Sequence, residues 1–107
     1  MAQKKINSDI LKLVKRYKQM LEGNMQVDKV IIFGSQTKGT AKKYSDIDVC
    51  VVSPIFGKDR QGERVFLSRF VDTIDLRIEP HPYHPNDLND GWDSLAHEIL
   101  THGVIVQ

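Results

Sequence analysis

Short apolar runs alternate with polar stretches along this chain, and the spacing inside each run separates strands from helices. Val30, Ile31, Ile32 and Phe33 stop at Gly34-Ser35, and after ten intervening residues Asp46-Ile47-Asp48 opens a second apolar run that ends at Val52. Both runs are short and β-rich, so this stretch predicts strand, turn, short helix, strand, with the strands at 28–33 and 46–52. Farther on, Ile74, Leu76 and Ile78 alternate with Asp75, Arg77 and Glu79, which predicts a third strand over 73–79 with one apolar and one charged face. Val104 to Val106 can add a last short strand.

Helical spacing marks three other segments. Over residues 8–22, Leu11, Val14, Tyr17 and Leu21, with Ile10, Leu13 and Met20, make a broad apolar stripe that Ser8 can cap and Gly23-Asn24 stops. Lys12, Lys15, Arg16 and Lys18 fall mainly on the opposite, solvated face. A second helix is expected from Glu63 to Val71, turning Val65, Phe66, Leu67, Phe70 and Val71 mostly to the core. A third runs from Asp87 to Thr101, with Trp92, Leu95, Ala96, Ile99 and Leu100 packing inward and Gly103 ending it. The expected class is α/β: a small mixed β-sheet with flanking helices, one domain spanning residues 1–107, without repeats or low-complexity segments.

Composition narrows the function. A chain of 107 residues can bury one core but has no room for a separate substrate domain. Fifteen basic against fourteen acidic residues leave a formal charge of +1, which argues against a strong electrostatic grip on nucleic acid. The single cysteine, Cys50, excludes an intrachain disulfide and suits a reducing compartment. No apolar run approaches a membrane span, and the Lys4-Lys5 start lacks a following signal-peptide core, so a cytoplasmic protein with no membrane partner is expected.

The candidate chemistry comes from strand periodicity. Residues two apart on a strand share a face, about 6 to 7 Å apart, so Asp46 and Asp48 would aim both carboxylates into one space. Crowded carboxylates favour a cation between them, and oxygen-only ligands favour Mg²⁺ or Mn²⁺. An EF-hand is excluded, since its glycine and terminal glutamate are missing. Gly34 lets backbone approach a ligand closely, and a helix starting near Ser35 would turn N–H groups toward a triphosphate. No Gly-Lys-Ser/Thr follows, so the turn is not a Walker A loop. Lys38 is the lysine nearest that turn, ahead of Lys42 and Lys43. Asp75 and Glu79 share the charged face of the third strand, and either can reach the same space. His81 and His84 sit in a proline-rich loop and are too few for structural zinc.

Gly34-Ser35, ten residues, then Asp46-x-Asp48, with Gly39 and Ser45 in GSQTKG and YSDID, resembles the signature of the DNA polymerase beta-like nucleotidyltransferase superfamily. The short length brings it nearest the minimal nucleotidyltransferase (MNT) group. The likeness continues through IDLRIEPHPYHPNDL to EILTHGVIV and covers about residues 26 to 106. It implies a polymerase-beta-like palm in which two Mg²⁺ ions are held by Asp46, Asp48 and a third carboxylate. Asp75 is the better match for that ligand and for the acceptor of the hydroxyl proton, with Glu79 as competitor. ATP would donate AMP to a hydroxyl and release pyrophosphate, with Gly34, Ser35 and Lys38 holding the triphosphate.

The acceptor should come from another polypeptide. MNT proteins are often encoded beside a helical HEPN ribonuclease toxin, which they neutralise by attaching AMP to a tyrosine, so the resemblance implies a HEPN-type toxin as partner. A homo-oligomer is compatible with the same reading. Two other functions remain open: an antitoxin that blocks its toxin by contact alone, and a transferase acting on a small molecule or an RNA end.

Overall fold

The strands Lys29–Phe33 (β1), Ile47–Val52 (β2), Ile78–Tyr83 (β3) and Val104–Ile105 (β4) form one mixed sheet in the order β3-β2-β1-β4. The computed structural model describes residues 6–107, so the Lys4-Lys5 start lies outside the described residues. β1 pairs antiparallel with β2 and β4, whereas β2 and β3 run parallel. The helices are Ser8–Glu22 (α1), Ser35–Lys38 (α2), Arg60–Ser68 (α3) and Ser94–His102 (α4). This is the mixed sheet with flanking helices that the apolar spacing predicts. None of the described helices is long and apolar enough to cross a membrane.

Strand alternation sorts the core into two faces. Val30 and Ile32 of β1 and Ile47, Val49 and Val51 of β2 point to one side, against Val14, Tyr17 and Leu21 of α1 and Leu67 of α3. The buried Tyr17 hydroxyl ties the two helices together by donating to the Leu67 carbonyl at 2.8 Å. Ile31, Phe33, Cys50, Val52 and Tyr83 point to the other side, where Leu88, Ala96 and Ile99 cover them. That cover is incomplete. Asp48, Glu79 and His81 share the second face and stay half-buried at its open end.

Four boundaries differ from the sequence-based expectation. The third strand is displaced from 73–79 to Ile78–Tyr83. Residues 71–78 turn instead: Ile74 and Asp75 donate N–H bonds to the Val71 carbonyl, and Ile78 to that of Asp75. Leu76 is 77% exposed, so the apolar alternation around it is no strand face. Pro80 and Pro82 had argued against a strand there. They are tolerated because β3 is the sheet's outer strand, where every second N–H faces away from the neighbour.

Side-chain caps set the helix starts. Asn7, not Ser8, caps α1, its Oδ1 accepting from the N–H of Asp9 at 2.8 Å and of Ile10 at 3.4 Å. Asp59 caps α3 three residues before the expected start, while the Glu63 carboxylate accepts from the N–H groups of Gly57, Lys58 and Asp59. The expected helix over 87–101 divides into a 3-10 turn at Asp87–Asn89 and α4, which Asp93 caps. Trp92 falls in the break between them and is 97% exposed, so it does not pack in the core as expected, and Val65 of α3 and Leu100 of α4 likewise face outward. Gly103 ends α4 as predicted, since a side chain there would collide with the Ile99 carbonyl and with Ile31.

Replacing Tyr17 by Phe removes the one side-chain bond between α1 and the end of α3 while keeping the ring. The variant is expected to lose about 1 kcal/mol of unfolding free energy in urea titration, with an unchanged slope.

Candidate active site

The register between β2 and β3 builds the site. Asp48 lies opposite Phe33 on one side and opposite Glu79 on the other, and Cys50 lies opposite His81. Neighbouring strands are about 4.8 Å apart, so two carboxylates meet at the end of the face where the apolar cover stops. One ligand atom each from Asp48, Glu79 and His81 lie within 4.8 Å of one another, close enough to surround a single metal ion. His81 Nε2 stands 3.3 Å from Asp48 Oδ1, a hydrogen bond that places the ring proton on Nε2, because a carboxylate only accepts. The Phe33 ring lies 5.1 Å from the imidazole and holds its orientation.

The donor set fits a small hard cation. Two carboxylates side by side repel unless positive charge is shared between them, and their oxygens suit Mg²⁺ or Mn²⁺. His81 is better placed as the group that orients Asp48 than as a magnesium ligand, since imidazole nitrogen favours softer metals. Arg64 supplies a counter-charge to Glu79 at 3.0 Å, and the His81 ring hydrogen-bonds Asp48.

The Gly34-Ser35 turn follows directly from β1 and abuts Asp48. Gly34 has φ +79°, and a side chain there would strike the Asp48 carboxylate, so only glycine allows this approach. The Thr37 N–H and hydroxyl both bond the Gly34 carbonyl, at 3.0 and 2.9 Å, and fix the turn. Ser35 and Gln36 also line a hollow of about 460 Å³ beside Asn7, Lys42 and Arg77. Asp48, Glu79 and His81 do not line it. The grouped ligand atoms of Asp48, Glu79 and His81 define the chemistry better than the size of this hollow does.

The other expected site residues lie apart from this group. Asp46 is exposed and precedes the first residue of β2, its carbonyl accepting from Gln36 Nε2 at 3.3 Å. Its carboxylate is outside the cluster of Asp48, Glu79 and His81. Asp75 sits in the turn before β3. Both its oxygens bind Arg77, at 2.9 to 3.0 Å, and that hydrogen bonding outweighs burial and holds the carboxyl below the ordinary aspartate range. Displacement of the strand thus puts Glu79, the competitor, next to Asp48 and leaves Asp75 clamping a turn. Lys38 forms an ion pair with Glu98 of α4. His84 accepts from the Asn86 N–H and stays separate from His81.

Sequence reasoning passed over His81 and two arginines. The signal for His81 was its two-residue spacing from Glu79, which shares a face only if the strand begins at Ile78. Arg60 and Arg64 lie one turn apart on α3, where they read as ordinary solvated charges. Beneath them, burial first and then the Asp93 hydrogen bond push the Tyr83 phenol up to about 12, and burial pushes the Cys50 thiol up to about 12. Both groups therefore stay neutral structural members of the face.

The family model for the nucleotidyltransferase domain matches residues 10–89 of the chain. Among solved structures, a candidate nucleotidyltransferase from Sulfolobus solfataricus is 21% identical, with a TM-score of 0.68 over 91% of this chain and 78% of that one. A chain from a crystal structure of a toxin–antitoxin with AMP-PNP is 20% identical, with a TM-score of 0.64 over 91% and 72%. At such identities the likeness concerns the fold. A comparison with curated proteins gave no match.

Gly34→Ala should lower stability by about 1 to 2 kcal/mol through its left-handed backbone and, by displacing Asp48, weaken magnesium uptake in calorimetry. Asp75→Asn should leave that uptake unchanged and act on stability alone. Because the folded pKa of Asp75 is lowered, its contribution is present above the unfolded value near ~4 and is lost as pH falls through the folded one. The stability gap between wild type and Asp75→Asn should therefore be widest near neutrality and close in acid.

Proposed function

This chain belongs to the nucleotidyltransferase domain family, and we propose that it moves AMP from ATP to a hydroxyl on a partner protein, as the antitoxin of a toxin–antitoxin pair. The observation that supports transfer is the pairing of Asp48 with Glu79 on adjacent strands beside the Gly34-Ser35 turn. The neighbour crystallised as a toxin–antitoxin with AMP-PNP supports the donor and the setting. A HEPN-type toxin is the expected partner on the signature's resemblance to MNT proteins. The buried thiol of Cys50 suits a cytoplasmic setting.

Asp48 and Glu79, with Asp46 at the mouth of β2, would hold magnesium, one ion or two, which when bound supplies positive charge to the triphosphate and to the attacking oxygen. Everything else falls to the chain itself. Gly34 gives the triphosphate a close approach to backbone, and the Ser35 hydroxyl and first-turn N–H groups donate to its oxygens. Glu79 takes the proton from the acceptor hydroxyl. The hydroxyl oxygen then bonds the α-phosphorus, the bond from that phosphorus to the bridging oxygen breaks, and pyrophosphate leaves with the electron pair. His81 keeps Asp48 in its rotamer, and in-line positioning does most of the work. Lys38 could join the triphosphate only by leaving Glu98.

One observation favours a second reading, a non-catalytic antitoxin with the same fold: Glu79 is already paired with Arg64 and Asp48 hydrogen-bonded to His81 within the chain. The two readings separate when ATP labelled on its α-phosphate is mixed with magnesium, this protein and the product of the neighbouring gene. Label should appear on the partner, and Asp48→Asn or Glu79→Gln should reduce it by at least ~100-fold, while Asp75→Asn retains it. Full neutralisation of the toxin by unlabelled Asp48→Asn would establish the contact reading instead.

A further inference from the structure

On the side of Glu79 away from the Gly34-Ser35 turn, α3 and β3 enclose a cleft of about 210 Å³ lined by Arg60, Arg64, His81, Pro82, Tyr83 and Leu95. His81 borders both this cleft and the Asp48–Glu79 pair. The Arg60 guanidinium lies 4.8 Å from the Tyr83 ring centroid, a cation–π contact that orients its plane. No carboxylate stands within ion-pair distance of it among the described residues. Arg64, one helical turn on, binds Glu79 and is half-exposed.

Two like charges four residues apart weaken a helix slightly unless an anion lies between them. Guanidinium forks match carboxylates in plane and in spacing. We propose that this cleft is the acceptor subsite, and that it selects a hydroxyl-bearing peptide segment with an acidic residue beside the hydroxyl. The inference rests on the transferase reading of the Asp48–Glu79 pair. With the turn on the β1 side of Asp48 and the arginines on the β3 side of Glu79, donor and acceptor approach from opposite flanks.

The distances suit a peptide. Arg60 and Arg64 are offset by about 6 Å along α3, and side chains two apart in an extended segment are offset by about 6 to 7 Å. A hydroxyl set at Glu79 thus places an acid two residues away near the second guanidinium. The chain's net charge of only +1 disfavours nucleic acid, whose affinity rests on many phosphate contacts.

Three fluorescein-labelled probes test this by anisotropy on the full chain: Ala-Glu-Ala-Tyr-Ala-Glu-Ala, the same peptide with both Glu changed to Lys, and a seven-nucleotide uridine RNA. The acidic peptide should bind at least ten-fold tighter than the lysine peptide and the RNA. That preference should vanish in the Arg60→Gln, Arg64→Gln double variant, with folding checked by circular dichroism, and persist in Asp48→Asn. Equal binding of the two peptides, tighter binding of RNA, or a preference that survives loss of both arginines overturns the proposal. ATP uptake by the same samples separates the two levels. Uptake without an acidic preference sinks the subsite alone, and an acidic preference without uptake sinks the transferase while leaving an acidic-peptide site.

Discussion

Parallel pairing of β2 with β3 is the constraint on which the rest depends. It sets Asp48 against Glu79 and His81 against Cys50, so that a register slip of one residue would turn Glu79 and His81 into the α1 face and leave Asp48 without its partner. That face is filled by Val14, Tyr17, Leu21 and Leu67, where an unpaired carboxylate would cost several kcal/mol. The apolar residues flanking Asp48, Ile47 and Val49, thus specify the position of the charged pair as firmly as they specify the core. Two like charges are tolerated together because the partly open end of the sheet leaves them water, because Arg64 offsets Glu79, and because His81 hydrogen-bonds Asp48.

The sheet supplies position and the turn supplies access. β1 carries its apolar run straight into Gly34, whose positive φ swings the chain away from the sheet just where Asp48 needs room. A β-carbon at that point would remove the space between the turn and the carboxylate. The conformational freedom of glycine therefore acts on the site rather than on the fold at large.

Much of this was legible from residue order. α1, β1, the short α2, β2 and the ending at Gly103 follow from apolar period, from glycine position and from β-branched runs, and the Gly-Ser and Asp-x-Asp spacing pointed to the end of the sheet where Gly34 meets Asp48. The third strand was not legible, because Ile74, Leu76 and Ile78 alternate as a strand would and Pro80 and Pro82 discourage one. What decided it was mainly non-local: β2 offers a parallel partner, which leaves β3 at the sheet edge where its outward side accepts a proline at every second residue, while Arg77 captures Asp75 in a turn. The five-residue displacement changed which acid stands beside Asp48. Trp92 failed for a similar reason, since Asp93 capping α4 broke the continuous helix that would have turned the indole inward.

The Arg64–Glu79 pair has a consequence for the order of assembly on the proposed reading. Arg64 holds one oxygen of Glu79 and competes with a cation for the carboxylate's charge, and magnesium gains little by displacing a guanidinium on its own, since it sheds its water reluctantly and uses few protein carboxylates. Triphosphate oxygens change that balance by adding ligands and negative charge on the side of the turn. Arg64, once released, remains on the opposite flank with Arg60, where an acidic acceptor would replace the lost ion pair. Donor binding and acceptor binding then favour each other through a single side chain, because each removes a cost the other would bear: the cation leaves Arg64 without its partner, and the acceptor supplies one.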